Sequence, residues 1–258
     1  MTVVLEGMSP AQEQGWLVLL DLFPNRRTDW TLIGGQMMYI LAAENGVTMP
    51  RTTTDMDVVI NVVESLGAIR ALASQLLQQG FEFGDVSPAG TGGRFMKPAD
   101  PGPGSVMFDV LAPEGLGERT DITTVPPART VQVPGSRQAL DRSQLVAVRV
   151  RESEGVARRP SLLGALVAKA AATAIAVRSN PERDWEDAAL LLSLVPDPIA
   201  TRAECGRKDL RRIAKLGAML SDDHRAWGPL GDAERRLGRA TLRLLLTDPQ
   251  GLTRFGLR

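Results

Sequence analysis

The sequence predicts an α+β chain, with a sheet and flanking helices first and a mostly helical C-terminal region after it. Three observations predict this. Strand-like and helix-like segments alternate over roughly the first 112 residues, the pattern of an α/β or α+β unit around one sheet. From Pro160 onward the composition turns to Ala, Leu and Arg with helical spacing. The 258 residues are 43% hydrophobic and 23% charged, ordinary for a globular chain with enough apolar material for a core.

The elements follow in order. Ser9 suits a helix N-cap and Pro10 the first helical position, and Trp16, Leu17, Leu19 and Leu20 give helical spacing up to Pro24-Asn25. Trp30–Ile33 reads as a strand broken at Gly34-Gly35, and Gln36–Glu44 as a helix closed by Asn45-Gly46. Met56–Val63 is rich in β-branched residues, and Ser65–Gln79 is an amphipathic helix stopped by Gly80. Arg94–Met96 and Val106–Leu111 are short strands separated by the turn-dense Pro98–Gly104. Val131–Val133 and Leu145–Val150 alternate like a small hairpin or sheet extension. A domain boundary is placed near 125–130, giving a core of 1–125 and a region 126–258 with small strands and helices.

Composition also excludes classes of function. A lone cysteine, Cys205, precludes an intrachain disulfide and suits a reducing compartment; together with the lone His224 it leaves little for a zinc site. No basic-then-apolar leader opens the chain, and the apolar run Leu162–Val177, interrupted by Lys169, is too short for a bilayer span, so a soluble cytoplasmic protein with no membrane partner is expected. The formal net charge of zero averages unlike parts: −8 over residues 1–125, +2 over 126–200 and +6 over 201–258. An acidic half is joined to a basic one.

The acidic half carries the chemistry. In a strand over 55–60, the period of two puts Asp55 and Asp57 on one face and Met56 and Val58 on the other. Two adjacent carboxylates repel unless a cation sits between them, and aspartate oxygens are what Mg²⁺ (or Mn²⁺) accepts beside phosphates and water. Asp109, in an otherwise apolar strand, needs a partner for its charge and would complete a metal triad on a neighbouring strand. Gly34-Gly35 between strand and helix lets backbone approach an anion at the helix N-terminus. An exposed edge strand would carry the same two acids without function; the order of Gly-Gly, Arg-x-Thr-x-Asp-x-Asp and a later strand Asp is far more specific.

That order resembles the polymerase-β-like nucleotidyltransferase superfamily, and more closely its AbiEii-type abortive-infection toxin branch, which includes the mycobacterial nucleotidyltransferase toxins. The resemblance spans about residues 30–195. Gly34-Gly35 and Arg51-x-Thr53-x-Asp55-x-Asp57 match the first motif, and Lys169, Arg178 and Arg183-Asp184-Trp185-Glu186-Asp187 match the later helical one. Gly35 departs from the Ser of many relatives. The resemblance implies the polymerase-β-like sheet, an NTP substrate, Mg²⁺, an acceptor at the 3′ end of tRNA, and a toxin neutralised by an antitoxin.

The resulting expectation is transfer of a nucleoside monophosphate to an acceptor hydroxyl. Asp55 and Asp57, with Asp109, hold metal; Gly34, Gly35 and Lys169 hold the β- and γ-phosphates; Arg51 and Thr53 touch the triphosphate or position the Asp55 loop. Asp109 orients or deprotonates the acceptor, and either Asp184 or Asp187 fixes Lys169 or assists at the acceptor. Lys169 is one of only 4 lysines beside 26 arginines, and small residues at helical spacing around it leave room for a ligand. Arg94 contacts phosphate or a base, or is an exposed strand arginine. The C-terminal cations Arg207, Lys208, Arg211, Arg212, Lys215, Arg235, Arg236, Arg239 and Arg243 form either a solvated face or a surface tracking RNA phosphates. With aromatics at 4%, a base-stacking platform is disfavoured. The alternatives are an acceptor on a protein or a small molecule such as an aminoglycoside, and a catalytically silent binding module or antitoxin-like partner.

Overall fold

Val58, Val59 and Ile60 are β-branched, and the strand they form, β3 (Asp55–Ile60), anchors a six-stranded mixed sheet. The computed structural model describes residues 2–24, 29–49, 53–175 and 181–247. The chain divides into two compact units, Met1–Ser161 and Leu162–Arg258.

In the first unit β3 lies between antiparallel β2 (Trp30–Leu32) and parallel β6 (Ser105–Pro113). The sheet continues through antiparallel β5 (Arg94–Pro98) and β4 (Glu82–Phe83), and the short β7 (Gln132–Val133) joins the end of β6. Burial alternates as the period of two demands: Met56, Val106 and Phe108 face the core, while Asp55, Asp57 and Asp109 are half-buried on the other face. Helix α1 (Pro10–Leu22) covers the apolar face. Its Ser9 cap accepts the Gln12 N–H at 3.2 Å, and a Cβ on Gly15 would stand 2.8 Å from Met56 Cε, so helix and strand meet at a glycine. Helix α2 (Gly34–Glu44) springs directly from the end of β2, and α3 (Ala68–Gln78) packs on β5 and β6.

A second sheet corrects the expected boundary. β1 (Thr2–Val4) pairs in parallel with β8 (Ser143–Val150), which pairs antiparallel with β9 (Ser153–Pro160). The segment 126–161, with the short α4 (Ser136–Asp141), therefore folds back onto the N-terminal residues, and the division falls after Ser161 rather than near 125. A pairing between residues almost 150 positions apart leaves no trace in local periodicity.

The second unit is helical: α5 (Leu162–Ala172), α6 (Pro181–Leu194), α7 (Pro198–Glu204), α8 (Arg207–Met219) and α9 (Asp232–Leu246), with a 3₁₀ turn at Arg225–Trp227. α6 packs on α5 and α9 with Ala188, Leu191 and Leu192 buried, and Gly238 lets Trp227 lie against α9, where a Cβ would stand 2.7 Å from its ring. Among the described residues no helix is long and apolar enough to cross a membrane.

One buried amide ties α1, α2 and the approach to β3 together. Gln36 Oε1 accepts from Trp16 Nε1 (2.9 Å) and Gln12 Nε2 (3.3 Å), and its Nε2 donates to the Thr53 carbonyl (2.8 Å). Gln36→Leu leaves the indole N–H and a carbonyl without these partners, so unfolding stability is expected to fall by about 2–4 kcal/mol. Denaturant unfolding of the variant checks this, and a loss below ~0.5 kcal/mol contradicts it.

Candidate functional site

Strand register builds the site. Asp57 is the direct cross-strand partner of Asp109 on parallel β3 and β6, Asp55 stands two residues earlier on the same face, and Arg94 on β5 is the partner of Asp109 from the other side. Arg94, Asp109 and Asp57 thus form one row across three strands. The next row carries Glu82, Met96, Met107 and Asp55, also by register.

Arg94 binds this row. Its Nε and Nη2 donate to both Asp109 oxygens at 2.8 and 2.6 Å, and Nη2 lies 3.6 Å from Asp55 Oδ2. The Asp109 hydrogen bonds, opposed by partial burial and helped by the charges of Asp109, Asp55 and Asp57, hold the guanidinium proton more tightly than in free arginine. All three aspartates therefore act electrostatically on one cation. Thr54 Oγ1 adds a hydrogen bond of 3.2 Å to Asp55 Oδ1.

The glycine pair sits against these acids. Gly34 and Gly35 open α2 after Ile33, whose N–H donates to the Asp57 carbonyl at 2.9 Å. Gly34 has φ +64°, and a Cβ there would overlap Asp57 Oδ2, while one on Gly35 would overlap Thr53 Oγ1. The absence of side chains is thus a steric requirement of the acidic loop. A side chain on Gly35 would collide with Thr53.

The structure accordingly brings together Gly34, Gly35, Thr53, Asp55, Asp57 and Asp109 in the first unit. Arg51 and Arg178 lie outside the described residues. Among the described residues no three His, Cys, Asp or Glu side chains already surround one point as a metal would require; the Arg94 guanidinium stands between Asp109 and Asp55. Residue-level reading missed Gln36, which holds the Thr53 carbonyl, because a glutamine inside a helix carries no signal of where its amide goes.

Lys169, Asp184 and Asp187 form a cluster of the second unit. The buried Lys169 Nζ lies 3.0 Å from Asp184 Oδ1 and 2.7 Å from Asp187 Oδ2, so the space around the lysine is filled by both acids of α6. Their spacing of three puts them on one helical face, and each meets the ammonium. Burial works against the charged lysine, but Asp187 and Asp184 outweigh it and lift its pKa above the usual 10.5. His224 caps the 3₁₀ turn through Nδ1, which accepts the Ala226 N–H at 3.2 Å.

No protein-family model and no curated protein matches the chain.

Two expected outcomes follow from this geometry. Gly34→Ala and Gly46→Ala both place a side chain at a left-handed φ (+64° and +67°), costing about 1–2 kcal/mol each, but only Gly34 has an acid in the way. Thermal unfolding should show the larger loss for Gly34→Ala; equal losses contradict the Asp57 contact. Lys169→Met strands two buried carboxylates and should cost about 3–5 kcal/mol. Because the lysine pKa is raised, its contribution is complete below 10.5 and fades only as pH climbs past it, so unfolding of wild type and variant should differ by a constant amount between about pH 7 and 9.

Proposed function

We propose that this protein is a Mg²⁺-dependent nucleotidyltransferase that moves a nucleoside monophosphate from an NTP to an acceptor hydroxyl. The observation that carries the reading is the register of Asp57 against Asp109, with Asp55 on the same half-exposed face and the Gly34-Gly35 helix start pressed against Asp57. The resemblance to AbiEii-type toxins supports it. The donor set fits a hard divalent cation, since it is all carboxylate oxygen in a place where charge needs neutralising.

Asp55 and Asp57 would hold the cation, which when bound neutralises triphosphate charge and stabilises the entering and leaving oxygens. Gly34 and Gly35 would let a phosphate approach the backbone N–H groups at the start of α2. Asp109 orients the acceptor hydroxyl and takes its proton as the acceptor oxygen bonds to the α-phosphorus. The bond from that phosphorus to the bridging oxygen breaks, and pyrophosphate leaves with its electron pair. Arg94 positions Asp109. The resemblance points to the tRNA 3′ end as acceptor and to a growth-inhibiting toxin with a cognate antitoxin.

A second reading rests on the Arg94 contact: two acids of the face, Asp109 and Asp55, already served by an internal guanidinium suit a catalytically silent binding module. Incubation with each α-labelled NTP, Mg²⁺ and total tRNA or cell extract separates the two. Label transfer is expected, abolished by chelation and reduced by about 10³-fold or more in Asp57→Asn at unchanged melting temperature. No transfer to any acceptor, with Asp57→Asn matching wild type in a growth assay, overturns the enzymatic reading.

A further inference from the structure

Two helices of the second unit are rich in cations; on α9 three of the four arginines Arg235, Arg236, Arg239 and Arg243 are engaged, and Arg236 is exposed. On α9, Arg235 donates to the carbonyls of Trp227 (3.2 Å) and Leu230 (2.9 Å). Arg239 donates to the Asp222 carbonyl and lies over the Trp227 ring, and Arg243 pairs with the Asp222 carboxylate. These guanidinium groups bind the 221–231 loop to the helix. On α8, by contrast, Arg207, Lys208, Arg211 and Lys215 are exposed and meet no carboxylate among the described residues.

The four lie on one side of α8. Asp209, Ile213 and Leu216 are buried on the opposite side, and at 3.6 residues per turn the four cations fall within an arc of about 100° facing away from that line. Arg207 and Lys208 stand in the first turn, where the positive end of the helix dipole disfavours cations. Arg207 with Arg211, and Arg211 with Lys215, place like charges four residues apart, each pair costing about 0.2–0.5 kcal/mol. Asp209, the acid of that first turn, is buried and accepts the Gly206 N–H at 2.9 Å, so it does not face the cations. This arrangement works against the helix itself and is relieved by a polyanion laid along it.

We propose that the outer face of α8 docks the phosphodiester backbone of a nucleic acid. Arg207 to Lys215 covers about 12 Å of helix, the axial length over which each duplex strand presents roughly three phosphates. The exposed side chains among and beyond the cations are Ala214, Ala218 and Met219, with no aromatic anchor of the kind that centres protein interfaces. An acidic protein would have little to grip. The choice of RNA as natural occupant rests on the nucleotidyltransferase reading; the docking surface does not.

Fluorescence anisotropy with the full-length chain tests this, using a labelled RNA hairpin, a DNA duplex of the same length and polyglutamate, from 50 to 200 mM salt (chosen as roughly the range where counterion release is steep). Arg211→Ala/Lys215→Ala is compared with Arg119→Ala/Arg149→Ala, which removes the same charge from exposed positions of the first unit. Alanine suits an exposed helix position, so α8 stays folded. Each lost phosphate contact should weaken binding about five-fold near 0.15 M salt and lower the salt slope by about one. The α8 pair therefore loses about 25-fold, and the control pair less than about two-fold. Equal binding of RNA and DNA assigns the face to phosphates themselves, and tighter RNA binding adds 2′-hydroxyl contacts; either supports the proposal. Equal losses in the two pairs, or polyglutamate competing charge for charge, overturn it. Measured without NTP and repeated in Asp57→Asn, the binding result stands or falls separately from catalysis.

Discussion

Three carboxylates gathered on one sheet face repel one another, and the Arg94 guanidinium is what allows them to stand there. Neighbouring strands are about 4.8 Å apart, and two like charges at that distance oppose each other by about 3 kcal/mol at an effective dielectric of 20. Arg94 answers with a two-pronged bond to Asp109 and a longer approach to Asp55. It is half exposed, so water shares the task and the pair is worth far less than its bare attraction. Any cation that enters among these acids competes with Arg94 for the same oxygens. The free charge of the site is therefore set by an arginine two strands away from Asp57.

Backbone constraints hold the acids where Arg94 can reach them. The sheet fixes β3 against β6, the Ile33 N–H fixes α2 to Asp57, and the Gln36 amide fixes the loop before Asp55 to α1 and α2. Met56 and Phe108 bury the other face, so the face carrying the acids cannot rotate inward without exposing the core. The glycines complete this frame by letting the helix start approach Asp57 closely.

The second unit meets the same electrostatic problem in a drier place. Lys169 is buried against two acids, and its stability there depends on the contacts it makes with both. Its chemistry differs from that of α8, where Arg207, Lys208, Arg211 and Lys215 face water and meet no carboxylate among the described residues. One fold thus contains a sealed charge cluster and an open one.

Much of this was legible from residue order. The alternation of Asp55-Met56-Asp57-Val58 carries its two faces with it, the Ser9-Pro10 start and the Gly-Gly break locate α1 and α2, and the spacing of Asp184 and Asp187 places them together, because local periodicity and turn chemistry depend only on near neighbours. Tertiary structure alone decided the rest. It set Asp109 opposite Asp57, gave Arg94 to Asp109 and Gln36 to Thr53, paired β1 with β8 to move the boundary to 161, and sorted Arg235, Arg239 and Arg243, engaged with the 221–231 loop, from the exposed Arg207, Lys208, Arg211 and Lys215. Each of these depends on strand register or helix packing between distant segments, and the partner of a polar side chain is chosen by that packing rather than by its sequence neighbours.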